Sequence, residues 1–84
     1  MIEIKFDKES KKVVAFDGYL KVGECDFVEK NGVWKIIHTE VKPSHQGQGI
    51  ARRLVNSIIE NSKKYDKIII AECSYAKKVI EANN

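Results

Sequence analysis

The stretch Lys42-Pro43-Ser44-His45-Gln46-Gly47-Gln48-Gly49-Ile50-Ala51-Arg52-Arg53 divides the chain into halves of different hydrophobic period. Its proline and two glycines exclude the interior of a strand or helix. After it, apolar residues at 50, 51, 54, 55, 58 and 59 trace one stripe, while Arg52, Arg53, Asn56, Ser57 and Glu60 face out, so a helix is expected to about Lys64. Before it, Val33 to Val41 reads as a strand with Trp34, Ile36 and His38 on one side and Val33, Ile37, Thr39 and Val41 on the other. An apolar load on both faces marks a central strand. Beyond the helix, Ile68-Ile69-Ile70-Ala71 is a short apolar run, expected as a buried strand parallel to the first through a right-handed crossover. The loop thus opens the helix of a βαβ unit.

On the N-terminal side, Ile2, Ile4 and Phe6 alternate with charged residues, Lys8-Glu9-Ser10 suits a turn, and Val13 to Phe16 forms a second strand, completing a hairpin that ends at Asp17-Gly18. From Tyr19 to Val28 the alternation slips phase, with Leu20 and Val22 in one register and Cys25 and Phe27 in the other, which predicts a bulge near Gly23. Asn31-Gly32 is a strong turn signal. On the C-terminal side, Tyr75, Ala76, Val79 and Ile80 make a short amphipathic helix with Cys73 or Ser74 at its cap. The expected fold is α/β (α+β): antiparallel strands, then the βαβ unit, then a short helix, in a single domain over residues 1–84.

Composition narrows the function classes. A chain of 84 residues buries only about 60% of the surface its unfolded form exposes, so modest stability is expected. Fifteen Lys and Arg against 12 Asp and Glu give a net charge of +3, far below the charge density of a nucleic-acid arm. Lys63, Lys64, Lys67, Lys77 and Lys78 are interrupted by Glu60, Asp66, Glu72 and Glu81 and lack an aromatic platform, which argues for a solvated face and no nucleic acid. No apolar run approaches the roughly 18 residues of a membrane span, and the first residues lack the order of a signal peptide, so a cytoplasmic protein without a membrane partner is expected. Cys25 and Cys73 have neither CxxC spacing nor disulfide density and are expected as reduced thiols. Zinc held by Cys25, His38 and Cys73 would need three strands with no local spacing, so no metal is expected.

The loop itself points to an anion. Backbone N–H groups of Gln46-Gly47-Gln48-Gly49 and of the first helical turn can converge on one ligand, which glycine lets approach closely. Arg52 and Arg53, the only two arginines, lie in that turn, where a guanidinium forms paired hydrogen bonds to phosphate. A tight connection beside a solvated helix face has the same residues. A Walker A loop is excluded because Ile50-Ala51 stand where Lys and Ser or Thr are required. A dinucleotide fingerprint fits poorly, since Arg52 occupies the third glycine position and Lys42 to Gln46 separate the loop from its strand.

The pattern Val41-x-Pro43-x-x-Gln46-x-x-Gly49-x-Ala51 resembles the acyl-CoA-binding signature of the GNAT superfamily of N-acetyltransferases, and the order of elements resembles its core from residue 2 to residue 82. His38-Thr39-Glu40-Val41, Gly47-Gln48-Gly49-Ile50-Ala51 and Cys73-Ser74-Tyr75-Ala76 further resemble the very short YjdJ-like branch. The resemblance implies that acetyl-CoA is the acyl donor. Gln46, Gly47, Gln48, Gly49, Ile50 and Ala51 would receive the pyrophosphate, and the backbone of Thr39 to Val41 would pair with the pantetheine amides. Val41 N–H would polarise the thioester carbonyl, a role worth roughly 3 kcal/mol where enzymes use it. Arg52 or Arg53 would touch phosphate, although the family fixes neither.

Catalytic candidates follow from the same comparison. Histidine as a residue type titrates near neutrality, which qualifies His38 as a general base, and among Trp34 and Ile36 it would equally serve as a core histidine. Glu40 is the alternative base, or a solvated carboxylate at a strand end. Cys73 enters a helix, where N-terminal donors favour thiolate, and in the short branch a cysteine here lies near the acyl end of the cofactor; an acyl-cysteine and an inert thiol are both open. Tyr75 is the candidate acid for the departing thiolate, or a packing residue. The usual GNAT chain continues for two further strands that wall the acceptor groove. A shallow acceptor site is therefore expected, serving a macromolecule or exposed amine, completed by a second copy, or absent from an acyl-CoA-binding or sensing module. A monomer or weak homodimer is expected.

Overall fold

Alternation, turn chemistry and one helical stripe generate the architecture in chain order. The structure is a computed structural model that describes residues 1–83. It contains β1 (Ile2–Asp7), β2 (Lys12–Asp17), β3 (Leu20–Lys30), β4 (Val33–Val41), a 3-10 turn (Pro43–His45), α1 (Ile50–Lys64), β5 (Ile68–Ala71) and α2 (Ser74–Ala82). The strands form one sheet in the order β1-β2-β3-β4-β5, antiparallel except for the β4–β5 pair, which is parallel. The mixed α/β fold and the parallel crossover agree with the reading of the chain.

The turns have local causes. Asp7 Oδ1 accepts from the N–H groups of Glu9 and Ser10, closing the connection from β1 to β2. Asn31 and Gly32, with φ of 53° and 78°, form a primed turn whose twist matches the flanking strands. In β3 the register passes from Ala15↔Gly23 to Phe16↔Lys21, so Val22 is an extra residue, and the bulge expected near Gly23 is present.

A second bulge corrects the reading of β4. Register passes from Asp26↔His38 to Phe27↔Ile36, which makes Ile37 the extra residue. One added residue exchanges the faces of everything beyond it. Trp34 and Ile36 are buried, but Thr39 and Val41 take over the inward positions, while His38 and Glu40 turn to the outer face with side chains 52% and 65% exposed. His38 therefore does not pack beside Trp34 and Ile36. The seemingly two-sided load of β4 is largely one inward face read through a bulge.

Both helices join a single core on one face of the sheet. Leu54, Val55, Ile58 and Ile59 of α1 meet Val13, Ala15, Val22, Cys25, Phe27, Trp34 and Ile36 from the strands and Ala76 and Val79 from α2. Phe27 and Trp34 lie 4.4 Å apart between ring centroids, and Phe6 stacks on both. Gly23 is required where α1 crosses β3: a Cβ there would stand 3.1 Å from the Glu40 carbonyl oxygen and 3.2 Å from Leu54 Cδ1. The expectation of a buried β5 is corrected. It is the edge strand, with Ile68 64% and Ile70 45% exposed, because no helix covers the outer face; only Ile69 and Ala71 turn to the core.

Leu54 closes the core under the start of α1, so Leu54→Ala is expected to lower unfolding free energy by about 2–5 kcal/mol in a denaturant titration. A change under about 0.5 kcal/mol, typical of surface sites, would contradict this placement.

Candidate functional site

Pairing between β4 and β5 ends early. Its last rung is Ile36↔Ala71, followed by the Glu72 N–H bond to the Ile36 carbonyl at 2.9 Å. Beyond it the C-terminal half of β4 pairs with β3 alone. The Lys42 N–H donates to the Val22 carbonyl at 2.8 Å, and antiparallel alternation then assigns Glu40 and His38 to the bonds with β3. The backbone groups of Thr39 and Val41 consequently face the gap between the strands. Gln46 Nε2 donates to the Val41 carbonyl at 3.2 Å, which leaves the Val41 N–H and both Thr39 groups open to the gap.

The glycine loop closes one end of this gap. Gly47 and Gly49 have φ of 82° and 78°, a conformation that disfavours side chains, and Gly49 is the N-cap of α1. The cap supplies no side-chain acceptor, and the first turn holds no acidic residue, so the helix presents unpaired N–H groups and its positive dipole end. A cavity of about 260 Å³ joins Val41, His45, Gln46, Gly47, Gly49, Ile50, Ala51 and Tyr75. A second hollow of about 340 Å³ is lined by Lys21, Val22, Gly23, Glu40, Val41, Lys42 and Pro43, so Val41 borders both.

The remaining candidates divide between the two faces. On the helix side, the Thr39 hydroxyl lies 3.3 Å from Cys25 Sγ and 4.0 Å from Cys73 Sγ. Cys25 is fully buried, and burial pushes its thiol up to about 12, which makes it a packing residue. Cys73 is half-buried at the N-cap of α2, without a side-chain capping bond. On the outer face, His38 Nε2 stands 3.7 Å from Glu40 Oε1. Tyr75 borders the loop cavity and is 40% exposed. Arg53 reaches the other way, toward the Ile2 carbonyl at 3.5 Å, and Arg52 is exposed. The structure thus gathers Val41, Tyr75 and the loop around one cavity, sets Thr39 beside Cys73, and places His38 and Glu40 across the sheet.

Two side-chain pairs escaped the reading of the sequence. His45 is wedged between Ser44 Oγ, 2.8 Å from its Nδ1, and Asp17 Oδ2, 2.9 Å from its Nε2. The bond with His45, assisted by the N-terminal ammonium, lowers the Asp17 carboxyl below its usual range. This pair ties the glycine loop to the end of β2, and no local pattern announces a contact spanning 28 positions. On the outer face of β3, Asp26 is raised to about 6 by burial and then by neighbouring Glu24, whose own carboxyl is lowered by bonding to Asp26 and Lys21. Asp26 Oδ1 is buried with no partner among the described protein atoms, and Asp26 faces His38 across the ladder. Spacing at alternate positions on one strand would have flagged Glu24 and Asp26 once the bulges were placed.

A family model described as GCN5-related N-acetyl-transferase matches residues 5–84. The chain belongs to that family. Solved structures share its architecture: the chain is 29% identical to a GCN5-like N-acetyltransferase candidate from Staphylococcus aureus, with a TM-score of 0.73 over 96% of this chain and 79% of that one. An IAA acetyltransferase from Bacillus cereus has the same fold at 17% identity, TM-score 0.69, over 99% of this chain and 73% of the other. A ribosomal-protein-alanine N-acetyltransferase from Brucella melitensis matches at 19% identity, TM-score 0.66, over 92% and 64%. No curated protein sequence matches at a significant level. Among the described residues of this acetyltransferase-family chain, no three His, Cys, Asp or Glu side chains gather as metal ligands, and no helix is long and apolar enough to cross a membrane.

Asp26 has a definite pH signature. Its native pKa lies above the ordinary 3.8, so as pH falls from 7 toward 4.5 the native state takes up a proton before the unfolded chain does, and stability rises. Glu24 acts oppositely, losing stability only as pH falls below its ordinary 4.5. Asp26→Asn is expected to raise the melting temperature at pH 7 and to abolish the gain between pH 7 and 4.5; an unchanged profile would contradict the assignment. Asp17→Ala is expected to speed hydrogen exchange of the Gln46 to Gly49 amides several-fold while leaving the far-UV circular dichroism unchanged, because it frees His45 and the loop. Unaltered exchange would remove the Asp17–His45 pair from any part in shaping the loop.

Proposed function

We propose that this acetyltransferase-family chain binds acetyl-CoA in the gap between β4 and β5 and transfers its acetyl group to an amine. The observation that carries the reading is the convergence of open Thr39 and Val41 backbone groups with the uncapped start of α1 beside one cavity. A pantetheine arm needs amide partners along an extended edge, and a pyrophosphate needs N–H donors at a helix start; this chain offers both in sequence. Gly47 to Ala51 would hold the pyrophosphate, and Gln46 would brace the loop against β4 through the Val41 carbonyl.

The chemistry then follows from positions on the two faces. The Val41 N–H lies where a thioester oxygen gathers charge as the amine nitrogen attacks the carbonyl carbon. As the new C–N bond forms and the C–S bond breaks, the departing thiolate takes a proton from Tyr75, which borders the cavity. The amine proton goes to Glu40 or His38, of which Glu40 lines the second hollow next to Val41. A second route passes the acetyl group first to Cys73 Sγ, which stands half-buried 4.0 Å from the Thr39 hydroxyl; a bound amine then releases it. The second hollow is open, which suits an amine on a larger molecule, and the sequence resembles the short YjdJ-like branch of the family.

Calorimetry on two variants tests the site, with intact-mass analysis testing the route. Gly49→Glu, shown by circular dichroism to be folded, is expected to lose acetyl-CoA binding because it sets bulk and negative charge where the pyrophosphate would lie, whereas Cys73→Ala keeps it. Wild-type affinity in Gly49→Glu would contradict the loop assignment. An acetyl adduct mapped to Cys73 selects the two-step route, its absence with turnover selects direct attack, and binding without any turnover would reduce the protein to an acyl-CoA-binding module.

A further inference from the structure

Among the described residues nothing pairs with the outer edge of β5, which also has an apolar face. Ile68 N–H bonds to the Gly32 carbonyl at 3.1 Å and Glu72 N–H to the Ile36 carbonyl at 2.9 Å. In a parallel pair the N–H and C=O of one residue point to the same side, so Ile68, Ile70 and Glu72 face β4, while Ile69 and Ala71 direct both groups to the free edge. Natural edges are blunted by charge, proline or a covering element, and the run Ile68-Ile69-Ile70-Ala71 has no charge or proline. Ile68 and Ile70 are 64% and 45% exposed on the outer face, where Val28, Val33 and Ile70 line a groove of about 340 Å³ together with Lys30, Asn31 and Lys35. On the helix side of the same edge, a cavity of about 300 Å³ is floored by Ile69, Ala71 and Ile80 and flanked on α2 by Lys77 and Glu81.

We propose that this edge is a self-association surface on which β5 pairs antiparallel with β5 of a second copy about a two-fold axis at Ile70. Residues Ile69 and Ala71 then exchange all four edge-facing backbone groups, Ile69 with Ala71 of the other copy and the reverse, and nothing is left over. That fit singles out a second copy: a two-fold at Ile70 needs only the two edge residues that the strand has. Ile70 meets its own symmetry mate on the outer face, extending the apolar groove, so neither face places like charges together at the axis. On the helix side the surface carries one cation and one anion four residues apart, Lys77 and Glu81, and a two-fold reverses their order, setting each against its opposite. The two sheets join into one continuous sheet, and the gap between β4 and β5 lies on the other side of β5, away from the joint. The inference uses none of the groups assigned to acetyl-CoA.

Sedimentation equilibrium over micromolar to millimolar concentrations tests it on the full chain. The wild type is expected to dimerise reversibly. Lys77→Glu and Glu81→Lys are each expected to weaken the dimer roughly tenfold, since each replaces two opposite-charge contacts by two like-charge ones, and the double exchange Lys77→Glu with Glu81→Lys is expected to restore it. Ala71→Pro removes an edge donor and is expected to give a monomer; far-UV circular dichroism and a cooperative thermal transition on the same sample show that the variant is folded, so the test stands apart from the proposed function. A wild type monomeric at millimolar concentration, or a dimer indifferent to the charge exchange, would overturn the proposal, as would an edge that pairs only with an unrelated peptide.

Discussion

One extra residue in β4 governs the site. Ile37, inserted opposite Asp26 and Phe27, turns Thr39 and Val41 inward and His38 and Glu40 outward, just beyond the last β5 rung, Ile36↔Ala71. A bulge bends its strand and strengthens its twist, which is the local change a diverging pair requires. Without it the odd and even positions would trade faces, burying an ionisable histidine and a carboxylate against Leu54 while exposing Val41. The opening and the orientation of the groups around it thus have one cause.

The opening is held by contacts that are costly to change. Gly23 lets α1 approach β3 so closely that Leu54 reaches the end of β4, and this fixes where the helix starts. Gln46 and His45 then hold the loop from two sides, one to the Val41 carbonyl and the other to Asp17. Left-handed φ angles at Gly47 and Gly49 keep side chains from the floor of the cavity, and the absence of a side-chain cap in the described structure leaves the first N–H groups of α1 for a ligand. Anchoring at His45 and Gln46 lowers the entropy that ordering the loop would otherwise cost.

Much of this was legible because its signals are local. Asn31-Gly32, the stripe from Ile50 to Ile59 and the loop residues each have a short-range physical meaning, and the elements fall where those signals place them. The bulge near Gly23 showed as a phase slip, with a glycine to mark it. The bulge at Ile37 has no such marker; a β-branched residue inside Ile36-Ile37 reads as ordinary strand, so His38 was assigned to the wrong face. The run at Ile68 to Ala71 is equally apolar whether one face or both are covered, and only the topology reveals an edge. The contacts of Asp17 with His45 and of Asp26 with His38 depend on which strands become neighbours, which residue types alone do not state.

The gap beyond Ile36 and the glycine loop are proposed to form a single acyl-CoA site. An amide-resolved NMR titration with acetyl-CoA addresses it most directly. Saturable shifts of the Thr39, Val41, Gly47, Gly49 and Ile50 amides with one common dissociation constant, and none at Glu3 or Lys5 on β1, are the predicted result. Shifts confined to the loop, with Thr39 and Val41 unmoved, or no shifts at millimolar ligand, would contradict the account.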